Sequence, residues 1–345
     1  MSMAAAGEQG LIEAAKQGDD RAFERLMAPY RRELRAHCYR MSGSLSDAED
    51  MLQESIIRAW KGLGRFEGRA SLRTWLYKVA TSACIDALDR KSARVMPTEL
   101  GPAVRGDEAI GPPRPDLPWL EPCPEDFYVD VPVSPEARYG ARESVALAFL
   151  VALQVLPPKQ RAILLLHDVL GQQATECAEL LETSVAAVNS ALQRARATLA
   201  EKGEALRTEP PPPPGDESTT SLLARYVEAW ELADVSKLVS LLREDAVLSM
   251  PPMSAWMRGP AAIGAAIEAM VFCRNGAPIG RGQFRFVATH ANGSPAFAVY
   301  ALEDGTWRAA AIHVLGVESG RIVTLTAFIN PALFTAFGLP LSISG

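Results

Sequence analysis

The stretch ATECAELLETSVAAVNSALQRARATL (Ala174–Leu199) predicts two helices joined by a short turn. Apolar residues recur at three- and four-residue steps over Ala174–Leu181 and again over Val185–Ala200. Three residues separate the two patterns, and Thr183 or Ser184 is expected to cap the second helix. The apolar residues expected to meet in one small core are Ala178, Leu181, Val185, Val188 and Leu192.

The outer face of the second helix is small and polar. Such a face allows a helix to enter the major groove of DNA closely. An ordinary helical hairpin with a solvated polar face has the same pattern, because helix pairs are common in helical proteins. The candidates for contact with bases or phosphates are Ser184, Ala186, Asn189, Ser190, Gln193, Arg194 and Arg196.

Nearer the N-terminus, SDAEDMLQESIIRAWKG (Ser46–Gly62) is a helical pattern with two stripes. The stripe expected to be buried contains Ala48, Met51, Leu52, Ile56 and Ala59. The second stripe is charged and contains Asp47, Asp50, Glu54, Arg58 and Lys61. Ser46 and Glu49 have the spacing of a capping box at the start of this helix. A solvated face with internal ion pairs accounts for the charged stripe.

The next segment, Gly64–Lys91, interleaves basic and aromatic residues. That mixture suits single-stranded DNA, whose bases stack on aromatic rings while cations contact the backbone. Trp75 is expected in the core, and Tyr77 is the aromatic residue expected to be exposed. The residues predicted to face inward are Leu72, Leu76, Val79, Ala83 and Ala87. Those predicted to face outward are Thr74, Tyr77, Lys78, Thr81 and Ser82.

Two proline-rich stretches divide the chain into three pieces, residues 10–91, 136–207 and 218–345. Residues 92–135 read as an extended acidic linker with a net charge of −5. The second linker, residues 208–217, contains the prolines Pro210–Pro214 and predicts a stiff polyproline rod. The first two pieces are helical in pattern. The third begins with helices and ends with alternating strand patterns, which predicts an α+β domain.

The composition limits the function classes. The net charge of −6 predicts weak binding to DNA by the protein alone, because backbone affinity comes from phosphate neutralisation. Apolar runs are too short to cross a bilayer and Met1–Gly10 does not resemble a signal peptide, so we expect a cytoplasmic protein without membrane contact. The five cysteines form no CxxC pair, which predicts no metal site and no disulfide framework. Only Cys123 is expected to be exposed, and we expect no cofactor.

The stretch Leu156–Leu199 resembles region 4 of sigma-70-type factors, which reads the −35 promoter element. Its LPPKQR opening and SALQRAR ending carry this resemblance. Ser46–Lys91 resembles region 2 of the same factors. Two such regions separated by a variable linker, without a region 3 domain, resemble the extracytoplasmic-function (ECF) sigma factors. The resemblance implies two all-α regions and a subunit that directs core RNA polymerase to promoters.

The resemblance also implies roles for individual residues. In the family, the helix containing DAEDMLQE docks on the clamp helices of the polymerase β′ subunit, and the β subunit is a further implied partner. The residues implied to bind core polymerase are Asp47, Asp50, Gln53, Glu54 and Arg58. The loop and helix that follow capture the −10 element as a melted single strand, whereas the −35 element is read as a duplex. The residues implied for the −10 strand are Arg65, Phe66, Glu67, Gly68, Arg69, Ala70, Ser71, Arg73, Thr74, Tyr77, Lys78 and Ser82.

Three positions depart from the family's pattern. The family usually has glycine at the turn of the helix-turn-helix, where this chain has Glu182; either a left-handed backbone there costs this residue about 1 kcal/mol, or the turn differs slightly. Basic residues are common where this chain has Asn189 and Ala191. Ser82 stands where the family often has asparagine, and its shorter reach is expected to alter the −10 preference.

Residues 218–345 resemble the SnoaL-like branch of the NTF2-like fold, a curved sheet and helices that form a cone. The stretches LLARYVEAWELADVSKLVSLLREDAVLSMPP (Leu222–Pro252) and MRGPAAIGAAI (Met257–Ile267) carry this resemblance. Some relatives are isomerases or cyclases, which need a pocket carboxylate or histidine. The candidate pocket residues are Trp256, Arg258, His290, Tyr300 and His313, with Asp245 as a further acid. The histidines fit equally the interpretation that they are hydrogen-bonded core residues.

We therefore expect a sigma factor, which is not an enzyme, whose C-terminal domain contacts its own sigma domains and regulates them. Two alternatives remain open at this point. One is an NTF2-like small-molecule-binding domain, or an isomerase or cyclase, carried on a DNA-binding arm. The other is a repressor that uses only the helix-turn-helix and binds duplex DNA without polymerase.

Overall fold

A computed structural model of the chain describes residues 3–105, 110–128, 146–203, 216–274, 277–278 and 281–344. The chain divides into two compact units. The first unit contains Met1–Ala93, Asp126–Ser144 and Ala152–Ala205. The second unit contains Arg94–Glu125, Val145–Val151 and Leu206–Gly345. The expected polyproline rod, Pro210–Pro214, lies outside the described residues.

Helices build the described part of the first unit. The N-terminal five are α1 (Met3–Lys16), α2 (Asp20–Met27), α3 (Arg31–Ser42), α4 (Leu45–Gly62) and α5 (Leu72–Leu88). After α6 (Leu147–Gln154), which begins in the second unit, come α7 (Pro158–Leu164), α8 (Ala174–Leu180) and α9 (Val185–Gly203). A π-helical turn, Leu165–Val169, follows α7 directly. Both predicted helical pieces are confirmed.

Short polar residues start the two helices of region-2-like sequence. The Ser44 hydroxyl accepts a hydrogen bond from the Asp47 backbone N–H at 3.3 Å, so α4 begins at Leu45. The prediction that Ser46 caps this helix is wrong by two residues, because the serine with extended backbone is Ser44. Ser71 caps α5 in the same way by accepting from the Thr74 N–H at 3.1 Å.

The predicted helix-turn-helix is present as α8 and α9, although α8 ends one residue before the predicted bound and α9 continues three residues beyond it. Ser184 caps α9, since its hydroxyl accepts from the Ala187 N–H at 3.1 Å. Glu182 has a φ of 52°, which places it in the left-handed region that favours glycine. Val188 and Leu192 are buried as predicted, but Val185 is 39% exposed. The prediction that Val185 belongs to the small core is therefore wrong.

The second unit is an α+β fold, as predicted. Its helices are α10 (Glu217–Glu231), α11 (Val235–Ser240), α12 (Pro260–Ile267) and α13 (Leu333–Ala336). Its strands are β1 (Leu242–Ser249), β2 (Trp256–Arg258), β3 (Cys273–Arg274), β4 (Ala277–Pro278), β5 (Phe284–Ala291), β6 (Ser294–Glu303), β7 (Thr306–Glu318), β8 (Arg321–Phe328) and β9 (Ser342–Ile343). The large sheet runs β2-β1-β8-β7-β6-β5, with β9 beside β7. β1 and β8 are parallel, and the other pairs are antiparallel.

Residues 94–105 and 110–125 are not a free tether, because their backbone bonds within the second unit. The Val104 N–H donates to the Trp256 carbonyl at 2.9 Å, and the Arg114 N–H donates to the Pro252 carbonyl at 2.8 Å. The Cys123 N–H donates to the Asn292 side chain at 2.8 Å. Cys123 is buried, so its predicted exposure is wrong. The sequence did not predict this packing, because a proline-rich segment has no periodic pattern of apolar residues.

No helix in the described residues combines the length and the apolar character needed to span a bilayer.

Candidate nucleic-acid and polymerase interface

One face of α4 projects from the first unit. Asp50, Gln53 and Glu54 are exposed on this face, in agreement with the sequence pattern. Ile57 continues the same row and is 47% exposed, which is unusual for a large apolar residue in the middle of a helix. The sequence interpretation missed Ile57, although its position seven residues after Asp50 places it on the same face. The face is therefore mixed, with acidic groups beside an apolar side chain.

The remaining two residues implied for polymerase binding are tied into the fold. Asp47 is buried, and its carboxylate accepts from Lys91 at 2.5 Å. Arg58 donates to Asp86 at 2.6 Å and to Glu54 at 2.7 Å, and these hydrogen bonds raise the pKa of its guanidinium. Asp47 thus has a structural partner, while Arg58 positions the exposed carboxylate of Glu54.

The loop before α5 presents its residues to solvent. Arg65, Glu67, Gly68, Arg69, Ala70 and Ser71 are exposed. Phe66 is half-buried, with its ring centroid 5.3 Å from that of Trp75. The Arg69 guanidinium lies 2.5 Å from the Glu67 carboxylate. The loop is thus an exposed, charged segment anchored by one aromatic contact.

Helix α5 differs from the predicted arrangement at two positions. Tyr77 and Thr81 are buried, so the prediction that they face outward is wrong. The Tyr77 ring packs edge-on against the His37 ring at 5.3 Å, and burial raises the pKa of its hydroxyl. The Thr81 hydroxyl lies 2.9 Å from Nε2 of His37. A buried histidine on α3 therefore fixes both side chains. The periodic pattern of α5 alone could not predict their burial, because this histidine lies on another helix.

The other residues of the predicted face of α5 are accessible to different degrees. Arg73 and Ser82 are exposed, while Thr74 and Lys78 are half-buried. Arg73 bonds to Glu33 through two nitrogens, at 2.7 Å for the shorter ion pair, and its guanidinium lies over the Tyr77 ring at 5.0 Å. Lys78 forms an ion pair at 2.9 Å with Glu182 of the helix-turn-helix.

The outer face of α9 agrees with the sequence pattern. The seven candidates, Ser184, Ala186, Asn189, Ser190, Gln193, Arg194 and Arg196, are exposed. Arg194 donates to the Ser190 hydroxyl at 2.6 Å one turn before it. Arg196 donates to Asp168 at 2.6 Å, and although burial raises the pKa of Asp168, its bonds with Arg196 and His167 outweigh burial and lower it. Arg196 thus connects α9 to the π-helical turn Leu165–Val169, which contains Asp168.

The candidate pocket residues of the second unit have separate surroundings. Trp256 donates through Nε1 to the Gly101 carbonyl at 2.9 Å, and Arg258 lies over its ring at 5.4 Å. His290 is exposed and 4.0 Å from Glu125. Tyr300 is buried and donates to the Pro340 carbonyl at 2.9 Å. His313 is also buried, and its Nδ1 lies 2.8 Å from the Tyr226 hydroxyl.

Aromatic rings fill the interior around His313. Trp230 and Phe286 lie 5.3 Å and 5.8 Å from its ring, and Tyr226 stacks with Phe297 at 5.8 Å. Burial lowers the pKa of His313 to about 3, so its imidazole is neutral at pH 7. The further candidate acid, Asp245, is exposed and bonded to Arg243, which lowers its pKa. The described residues contain no cluster of histidine, cysteine and carboxylate side chains suited to a metal ion.

Comparison with known families identifies both parts of the chain. The family described as "Sigma-70 region 2" matches residues 26–94, and "Sigma-70, region 4" matches residues 146–199. The "SnoaL-like domain" matches residues 223–325. The first unit therefore carries region 2 and most of region 4 of a sigma factor, and these two names are used below for the matched parts.

The chain belongs to the ECF RNA polymerase sigma factors. It is 42% identical to the ECF RNA polymerase sigma factor SigG of Mycobacterium tuberculosis over 328 residues, which cover 95% of this chain and 86% of that relative. The ECF sigma factor SigM of the same organism is 30% identical over 190 residues, covering 55% of this chain and 81% of SigM. The crystal structure of M. tuberculosis SigJ has the same fold, with a TM-score of 0.58 at 22% identity over 92% of this chain and 99% of that one. Sigma factors of this family direct transcription initiation with RNA polymerase and are not enzymes.

Proposed function

We propose that this chain directs core RNA polymerase to promoters through three surfaces of its first unit. The observation that carries the proposal is the pairing of an exposed docking face on α4 with an exposed, capped recognition helix α9 in a chain that is 42% identical to an ECF sigma factor. The cytoplasm is the compartment in which this function operates.

The docking face for core polymerase is Asp50, Gln53, Glu54 and Ile57. An exposed apolar side chain ringed by polar groups is the usual composition of an interface anchor. Ile57→Asp is expected to weaken binding to core polymerase about tenfold or more. Leu341→Asp is the matched control, because Leu341 is 54% exposed in the second unit. Equal affinity of the two variants would remove Ile57 from the interface.

The loop at Arg65–Ser71 and the accessible residues of α5 capture the opened −10 strand. Exposed cations beside an aromatic anchor provide the electrostatic and stacking contacts that single strands require. Arg69→Ala is expected to slow open-complex formation on duplex promoters more than on templates with a pre-melted −10 element. If the rate of open-complex formation fell equally on both templates, Arg69 would have a role other than capture of the opened strand.

Helix α9 reads the −35 duplex. Gln193 and Arg194 are the candidates for base contacts, each worth about 1–3 kcal/mol of discrimination when the geometry is bidentate. Arg196 positions the helix through Asp168. Gln193→Ala is expected to relax the −35 preference of specific initiation, whereas Glu179→Gln on α8, an exposed change outside that face, leaves it unaltered. Retention of the full preference by Gln193→Ala would contradict this assignment.

The second unit contacts the sigma regions and regulates their activity, and it does not catalyse a reaction. Its interior imidazole is neutral and bonded to Tyr226, and its candidate acid Asp245 is exposed and ion-paired. A small-molecule-binding or isomerase-type domain is the second candidate function, and the buried His313–Tyr226 pair is the observation that favours it. Turnover of a hydrophobic ketone by the full chain, lost in His313→Gln, would establish that alternative.

A further inference from the structure

An apolar side chain stands at the start of the helix that we propose reads the −35 duplex. Val185 is the first residue of α9, and it is 39% exposed. Val188 and Leu192, which continue the same apolar stripe along the helix, are buried. A single exposed valine is ordinary on a protein surface, so its position within the helix decides what it can do.

The first turn of α9 is held in one conformation. The Ser184 hydroxyl accepts a hydrogen bond from the Ala187 N–H at 3.1 Å, and the Ser184 carbonyl accepts one from the Val188 N–H at 3.0 Å. Val188 and Leu192 anchor the helix in the core of region 4. A β-branched side chain has one strongly preferred rotamer in a helix, and helical side chains lean toward the N-terminal end. Val185 therefore presents a fixed apolar surface at the N-terminal end of α9.

The N-terminal end of a recognition helix is the part that meets base edges. In a helix-turn-helix, the second helix lies in the major groove, and its N-terminal residues contact the bases. Val185 and Asn189 are four residues apart, so they lie one turn from each other on one face of α9. Both are exposed, and Asn189 belongs to the face proposed to read the −35 element. Val185 thus extends that face toward the N-terminal end of the helix.

Residues 185–193, at the N-terminal end of α9, include no charged side chain. The next cations along the helix are Arg194, which donates to the Ser190 hydroxyl, and Arg196, which pairs with Asp168. Guanine is read mostly by arginine or lysine, whereas an asparagine amide reads adenine and an apolar group packs against the 5-methyl group of thymine. This part of α9 therefore has groups suited to adenine and thymine, and none of the cations that read guanine.

We propose that Val185 is a specificity-determining residue that packs against the 5-methyl group of a thymine in the −35 duplex. This role rests on the proposed reading of the −35 element by α9, and it adds a contact that requires no hydrogen bond. The contact distinguishes thymine from cytosine, because only thymine carries the methyl group. Its expected contribution to promoter affinity is about threefold to fivefold, the ratio that corresponds to burial of one methyl group.

A double-mutant cycle between protein and DNA tests this contact with the full chain and core polymerase. Each thymine of the −35 element is replaced in turn by deoxyuridine, which pairs with adenine in the same way but lacks the 5-methyl group. Specific initiation at sub-saturating polymerase is compared for the unmodified chain and Val185→Ala. Alanine is a strong helix former, so this variant is expected to keep α9 folded. Deoxyuridine in the spacer is the control on the DNA side, and Leu341→Ala, which trims an exposed apolar residue of the second unit, is the control on the protein side.

The losses on the two sides of the contact are expected to be coupled. For the unmodified chain and for Leu341→Ala, deoxyuridine at one thymine of the −35 element is expected to lower initiation about threefold to fivefold. Val185→Ala is expected to lower initiation on the thymine template by a similar factor and to abolish the effect of deoxyuridine at that position. A change in DNA flexibility alone would lower initiation by all three proteins, so the coupling isolates the contact with the methyl group.

Two results would overturn the role of Val185 while leaving the reading of the −35 element intact. One is initiation that depends on the −35 sequence but on no thymine methyl group within it. The other is an equal loss on deoxyuridine for the unmodified chain and Val185→Ala. Initiation without any dependence on the −35 sequence would contradict the proposed function of α9, and the role of Val185 with it.

Methylation of cytosine provides an independent readout. At the position identified with deoxyuridine, a C·G pair replaces the T·A pair, and its cytosine is supplied with or without a 5-methyl group. The unmodified chain is expected to initiate about threefold to fivefold better on the methylated template, whereas Val185→Ala is expected to treat the two templates alike. Equal initiation by the unmodified chain on both templates would show that Val185 does not read the methyl group.

Discussion

The interiors of the two units are built from different chemistry. In the first unit, Arg35 Nε, His37 Nδ1, Gln154 Nε2 and Arg161 Nε are buried without hydrogen-bond partners among the described residues. In the second unit, Nε1 of Trp230 is also buried without such a partner, but the interior around it consists of packed rings at centroid distances of 5.3–6.2 Å. Buried polar groups form hydrogen bonds with water when they become exposed. Their exposure therefore costs less free energy than the exposure of apolar rings. Exposure to water therefore costs the polar part of the first interior less than it costs the aromatic interior of the second unit.

The largest expected effect is on the aromatic interior. Trp230→Ala removes a ring that contacts Phe272, Phe284 and Phe286, and is expected to reduce the free energy of unfolding of the second unit by about 3–5 kcal/mol. Urea unfolding of the full chain, followed by circular dichroism, measures the change. A loss below about 1 kcal/mol would contradict the account of a tightly packed interior.

The second effect is a loss of stability in acid. The pKa of His37, lowered by burial and by the charge of Arg40, and the pKa of His313, lowered by burial, are both about 3, against about 6.5 when unfolded. Both residues are neutral in the folded state and take up protons on unfolding below pH 6.5. Stability is therefore complete above pH 6.5 and falls as the pH drops toward 3, by roughly 1.4 kcal/mol per pH unit and histidine.

Urea unfolding at pH 7 and pH 5 measures this loss. His37→Gln is expected to reduce the pH dependence of the first unit, and His313→Gln that of the second. A pH dependence that survives in the double variant would assign the acid sensitivity to other groups.

A smaller effect is expected from Arg161→Met. Methionine fills much of the same volume and removes the buried charge, while leaving the Met41 carbonyl without this donor. The expected loss in the free energy of unfolding is about 1–2 kcal/mol, below that of Trp230→Ala. Helix α7 of region 4 lies against α3 and α5 of region 2, and the same variant is expected to loosen this contact and to enlarge the radius of gyration in solution scattering. A loss equal to that of Trp230→Ala would show that the two interiors do not differ as described.

The smallest effect concerns the thiols of region 2. The Sγ atoms of Cys38 and Cys84 are 3.6 Å apart and fully buried, and the pKa of the Cys84 thiol is raised by its hydrogen bond to Cys38 and by burial. Neither is expected to react with iodoacetamide within an hour in the folded chain or in Arg161→Met. Alkylation in the variant alone would mean that loss of the Arg161 bond to Met41 disrupts the interior of region 2 itself.

Local patterns were sufficient to predict much of the fold. The turn between α8 and α9 and the exposed face of α9 follow from periodicity and capping residues. The left-handed backbone expected for Glu182 is confirmed. These features depend on residues close together in the chain, which is why one sequence indicates them.

The errors arise where distant residues decide the outcome. Tyr77 and Thr81 are buried because His37, on another helix, contacts both. Cys123 is buried through Asn292, which is far away in the sequence. Arg161 belongs to the LPPKQR motif, and the residues next to it in the sequence do not predict its hydrogen bond to the carbonyl of Met41.

The most direct test of the central claim is promoter selection from a library with randomised upstream sequence, using the purified full chain and core polymerase. The account predicts transcripts whose templates share two enriched elements at −35 and −10 with a fixed spacing, and none without core polymerase. Enrichment of a single duplex site by the chain alone, or no enrichment with polymerase present, would contradict it.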